Sequence, residues 1–150
     1  MSLRRLPGWE ARLEAMLRAA EGRPFSWGEC DCCLLAADAV QALTGHDPAA
    51  DWRGLYRSRK EASVRLVAVY GTADLAILAT EMLGAEIPLG QARRGDIAAV
   101  PVRGQRAFGG VMLGVIAAGG RVACLTPSSQ AGGGLKLFAL DVARHAWRVG

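Results

Sequence analysis

The apolar pattern of this chain changes period once, near Gly95, and that change limits the fold more than any other feature. Before it, apolar residues recur at helical spacing; after it, short β-rich runs alternate with glycine turns. Helices first and strands second predict an α+β fold with a mostly antiparallel sheet. A chain of 150 residues is the usual size of one domain, so residues 1–150 are read as a single core.

In the helical half, Trp9, Leu13, Met16, Leu17 and Ala20 share one stripe, which predicts a helix over 7–21 that Gly22 and Pro24 stop. Asp31 stands as an N-cap before the strongly apolar run 32–43, the predicted central helix, and Thr44-Gly45 ends it. Asp47-Pro48 predicts a short helix through Ala49, Ala50 and Asp51. Ala62, Leu66 and Tyr70 predict a helix over 58–70, and Thr72 is the expected cap of another with Leu75, Leu78, Ala79, Met82 and Leu83 on its apolar face. Strands are predicted over 96–102, 111–117, 121–125, 135–140 and 146–149, with a flexible loop at 128–134.

No apolar run reaches the roughly 18 residues of a membrane helix, so no membrane insertion is expected. The early arginines lead into an amphipathic stretch rather than a continuous apolar one, which predicts no Sec-type export. The net charge of +4 comes from scattered arginines, with Arg57-Ser58-Arg59-Lys60 the one short cluster. A solvated helix face accounts for that cluster better than nucleic acid does. Of four cysteines, Cys30, Cys32 and Cys33 crowd together while Cys124 lies far along the chain, a spacing that suits a site rather than a disulfide framework. A thiol at a helix N-terminus feels the positive end of the macrodipole, so Cys32 is expected to be acidic. Cys33 is expected to turn away from it as a small apolar filler.

The segment Trp27-Gly28-Glu29-Cys30-Asp31-Cys32, followed downstream by Gly95-Asp96-Ile97-Ala98-Ala99-Val100, resembles the NlpC/P60 superfamily. That superfamily has a papain-like fold in which a Cys at a helix N-terminus faces a His on the following sheet. The resemblance implies N-terminal helices packed on a C-terminal, mostly antiparallel sheet, with Cys32 at the nucleophile's position. Met112-Leu113-Gly114-Val115-Ile116 is similar to the family's His-hydrophobic-Gly-hydrophobic-aromatic strand. Met112 therefore takes the base position, and Cys124 the position of the third residue that orients the base.

A thioether accepts no proton at neutral pH, and loss of a general base forfeits roughly 10²–10⁴ in rate. The expectation is a degenerate cysteine peptidase with little turnover. His46 falls at the other end of the central helix, about 20 Å from Cys32 at 1.5 Å per residue. His145, near the C-terminus, is the remaining candidate substitute base.

A narrower resemblance rests on the run 31–40, on Thr44-Gly45-His46-Asp47-Pro48-Ala49-Ala50-Asp51 with Arg53-Gly54-Leu55-Tyr56, and on Ala146-Trp147-Arg148-Val149. It is to a family encoded by tailed bacteriophages and prophages, often near tail genes. It implies a tail-tip or baseplate component of the virion, assembled in the host cytoplasm, without cofactor. Its partners would be other tail and baseplate proteins, with peptidoglycan as a further contact. Two alternatives stay open. One is an active peptidase or amidase that cleaves peptidoglycan with Cys32 and a displaced base. The other is a zinc or iron-sulfur site on Cys30, Cys32, Cys33 and Cys124, which the tight Cys-x-Cys-Cys spacing disfavours. Trp9, Trp27, Trp52 and Trp147 are expected as core or interface anchors, and Arg53 and Tyr56 either contact a partner or brace their loop.

Overall fold

Asp31, in extended backbone, accepts the Leu34 N–H on its carboxylate at 3.0 Å and so starts the central helix where the sequence places it. A computed structural model describes residues 3–127 and 134–150; of the predicted loop 128–134, all but Gly134 lies outside the described residues. Among the described residues four α-helices come first: α1 Trp9–Glu21, α2 Cys32–Thr44, α3 Arg59–Tyr70 and α4 Leu75–Leu83. Five strands follow: β1 Ile97–Pro101, β2 Val111–Ile116, β3 Val122–Thr126, β4 Gly134–Phe138 and β5 His145–Trp147. They form one antiparallel sheet in the order β4-β3-β2-β1-β5. The fold is α+β, with the helical half laid on the strand half.

Helix α2 packs on β2 and β3, α1 packs on α2, and α4 reaches β2 and β5. Side chains alternate across a strand, so the sheet has two apolar faces. Ile97, Ala99, Leu113, Val115 and Trp147 meet the helices in the main core. Ala98, Val100, Ile116, Val122 and Cys124 form a second cluster on the other face. Gly114 sits in that second face because a Cβ there would come within 2.5 Å of the Cys124 sulfur and the Ala123 carbonyl oxygen.

Three local predictions are corrected. No helix forms over 49–51: the stretch is a series of turns, because Asp47 accepts the Ala49 N–H at 3.0 Å and also holds Arg53, at 2.9 Å. Arg53 reaches on to Asp38 of α2 at 2.7 Å, which fixes this loop to the central helix. The cap of α4 is Asp74, whose carboxylate accepts the Ala76 and Ile77 N–H groups, while Thr72 accepts the Asp74 N–H one step upstream. At the C-terminus the last strand begins at His145 and ends at Trp147, earlier than expected, because the Val149 N–H is taken by a carboxylate.

That carboxylate belongs to Asp96, which is fully buried. It accepts the Arg5 guanidinium at 2.9 Å, the Arg93 N–H at 3.0 Å and the Val149 N–H at 3.1 Å. One side chain thus joins the segment before α1, the entry to β1 and the exit from β5. Removing one partner of a buried ion pair strands the other, at a cost of about 3–5 kcal/mol. Asp96→Ala is expected to lose stability on that scale in urea denaturation, and Asp96→Asn less, since it keeps part of the hydrogen bonding.

Candidate functional site

The loop before α2 is shaped by glycine. Ser26 bridges to Cys30, and Gly28 sits at φ +80°, where a Cβ would overlap the Tyr56 carbonyl oxygen. The turn aims the Gly28 N–H at the Asp31 carboxylate, 2.9 Å away. Tyr56 donates its hydroxyl to the same carboxylate at 2.6 Å. With the Leu34 N–H, three donors satisfy a carboxylate that is 1% exposed. Burial, and then the charge of Asp31, push the Tyr56 hydroxyl well above the ordinary phenol range, so it remains a donor.

Cys32 follows as the first residue of α2 and is half-buried. Its sulfur meets the sheet where two strands part. The β2–β3 ladder holds Ile116 opposite Val122 and Val115 opposite Ala123, and goes no further among the described residues. The Ile116 N–H bonds to β1's side at Asp96, so by alternation the Leu113 N–H points toward the β3 side, into the gap. Facing that gap, it is one of the influences that favour the Cys32 thiolate.

The hydrogen bond from the Cys33 thiol is the largest influence lowering the Cys32 pKa, and the Leu113 and Cys33 backbone N–H groups add to it, against burial and the charge of Asp31. Cys33 is pushed well above the usual thiol range by that same hydrogen bond and by burial, so Cys32 is the thiol of the pair that ionises first. Cys33 was expected to turn away as a filler. It does pack against the core, but its thiol also reaches its neighbour.

The thiols open on a cleft of about 340 Å³, walled by Trp27, Tyr56, Phe108 and Met112 among others. Phe25 meets Trp27 edge-on at 4.9 Å, and Phe108 lies 6.0 Å from Trp27. The charged side chains of the lining are Asp31, already engaged, with Arg59 and Arg103. Arg59 comes from the basic cluster that the sequence assigns to a solvated face; it is exposed and also lines the cleft.

Met112 packs with the second cluster, on the sheet face away from the helices, and reaches the cleft at the start of β2. Cys124 is buried on that same face, its thiol pushed up by burial and by the charge of Cys32. The chain's two histidines lie elsewhere. His46 is exposed in the loop after α2, and His145 on β5 is hydrogen-bonded to Glu86 and absent from the cleft lining. The four cysteines are free and do not gather: Cys30 packs with Ala20, Leu35 and Leu125 in a cluster of its own. No group of three or more His, Cys, Asp or Glu is placed to hold a metal among the described residues. Arg53 and Tyr56 both brace their loop, through Asp38 and Asp47 and through Asp31.

Sequence reasoning missed the Leu113 N–H, since a backbone group carries no sequence signal, and it missed Phe108, whose positive φ of 61° beside Gly109 and Gly110 was the available clue only as a glycine-rich turn.

These features define an α+β domain in which a cysteine cleft opens at the N-terminus of the central helix. The sequence profile of the family described as "Domain of unknown function (DUF6950)" matches residues 4–149, and the chain belongs to that family. None of the curated proteins matches it.

Hydrogen bonds to buried charges contribute about 1.5–3 kcal/mol each. Tyr56→Phe is therefore expected to lower stability on that scale in chemical denaturation. Gly28→Ala, which strains the turn and collides with the Tyr56 carbonyl, is expected to be at least as damaging.

Proposed function

We propose that this chain has a papain-like fold of the NlpC/P60 kind and is a structural component of a phage or prophage tail tip or baseplate. In this reading it derives from a tail cell-wall peptidase and has lost turnover. The observation that carries the loss is the cleft itself: a thiol at a helix N-terminus, Met112 at the family's base position, and both histidines placed outside the lining. A cysteine hydrolase needs an imidazole twice, first to take the thiol proton and then to give a proton to the leaving amine. A thioether does neither.

The tail assignment rests on the sequence resemblance. Two structural features agree with it. Val64, Val67 and Val69 of α3, with Leu55 and Ile77 nearby in sequence, expose apolar surface of the kind that neighbouring tail or baseplate subunits cover. Four free thiols suit assembly in the reducing bacterial cytoplasm before incorporation into the virion. Purified virions of the encoding phage are expected to contain this chain, detected by mass spectrometry of their tails. Its absence from intact particles would refute the structural role.

A second reading, an active peptidase or amidase on peptidoglycan, is favoured by one observation: Cys32 lines the cleft as the first residue of α2, where its pKa is lowered without any imidazole. The two readings part in the flask. Because the Cys32 pKa is lowered, its alkylation by iodoacetamide should rise through a midpoint below that of an ordinary thiol, pH about 8.5. Cys33→Ala removes the largest stabilising contact and should move that midpoint upward. Murein digests are expected to show no cleavage; cleavage lost in Cys32→Ala would instead establish the peptidase.

A further inference from the structure

The loop between β1 and β2 carries Arg103 and Arg106, and Arg144 stands just before β5; all three line one open groove of about 650 Å³. The strand register brings them together. Arg144 donates its backbone N–H to the Ala99 carbonyl at 2.9 Å, beside the last residues of β1, and the Val102 N–H closes the hairpin on the Gly110 carbonyl at 2.8 Å. No acidic side chain lines the groove. None of the three guanidiniums is in an ion pair among the described residues. Asp74 lies against Gly109, but it is outside the lining and its carboxylate caps α4.

The groove adjoins the Cys32 cleft, sharing Pro101, Val102, Arg103 and Gln105 as a common wall. Phe108 fixes one to the other. Its backbone takes the left-handed region at φ +61°, uncommon for a non-glycine residue, while its side chain is buried beside Trp27. The loop is thereby pinned to the cleft wall. Three like charges held in one groove repel, and an oxyanion bound between guanidiniums relieves that repulsion with charge-assisted hydrogen bonds.

We infer that Arg103, Arg106 and Arg144 form an oxyanion subsite, which seats the carboxylate or phosphate groups of a ligand whose adjoining part enters the Cys32 cleft. This rests on the preceding reading only in taking the cleft for a binding site, and it requires neither turnover nor a place in a tail.

Cys32 itself reports on the subsite. Its alkylation by iodoacetate, an anion, is compared with that by neutral iodoacetamide, the modified residue being located by fragmentation mass spectrometry. The rate ratio is expected to fall about tenfold in R103Q/R106Q/R144Q and to stay unchanged in R18Q/R57Q/R121Q, which removes the same charge elsewhere. In the unmodified chain, raising salt to about 0.5 M should lower the ratio in the same direction. Inorganic phosphate or glutarate should lower it too, and whichever acts at the lower concentration identifies the preferred group. Equal ratios in the two triple variants, or indifference to both anions, would overturn the subsite. Murein cleavage is scored in a separate assay, so failure of the inert-cleft reading is told apart from failure of this one.

Discussion

A buried carboxylate with three donors sets the geometry on which the rest of the site depends. Asp31 lies in apolar surroundings where an unsatisfied charge would cost several kcal/mol, about the whole margin of a small domain. Its oxygens are met by the Gly28 and Leu34 N–H groups and by the Tyr56 hydroxyl. Each donor comes from a different place: the loop before α2, the first turn of α2, and the loop after it. Satisfying one charge therefore places the start of the central helix, the aromatic loop and the far wall of the cleft together.

That placement pushes the first residue of α2 against a defect in the sheet. Strands β2 and β3 pair over two residue pairs and then separate, while β1–β2 and β3–β4 each run through five. A regular ladder would have used the Leu113 N–H on a β3 carbonyl. With β3 withdrawn, that N–H faces the opening and favours the Cys32 thiolate. The same contact that favours thiolate at Cys32 disfavours it at Cys33. Cys32 thus has surroundings that favour its thiolate, while neither histidine is in the cleft lining.

The sequence was most legible where a local rule had a single solution. Asp31 before an apolar run and the change of period near Gly95 each correspond to the observed element. Errors arose where side chains bonded across the chain. Asp47-Pro48 has the form of a helix start, but Arg53 recruits the Asp47 carboxylate into a turn. Thr72 and Asp74 are both good caps, and only the backbone path shows that the second is used. The cleft was legible in its thiol but not in its walls, because the Leu113 N–H and the pinned Phe108 depend on which strands separate and which loop folds back. Cys33 illustrates the limit of helical-wheel reasoning: adjacent short side chains in a first turn can still touch.

Asp96 has a bearing on connectivity. It holds Arg5 and Val149 on the same carboxylate, so residues near opposite ends of the folded chain are neighbours in space. A short peptide could join those two points, and the chain could be reopened in the surface loop near Gly104 without crossing the core. Any domain fused at either end would leave from the same corner of the molecule, on the side of the sheet where β1 begins, which leaves the mouth of the cysteine cleft, at the opposite end of β1, clear of the attachment.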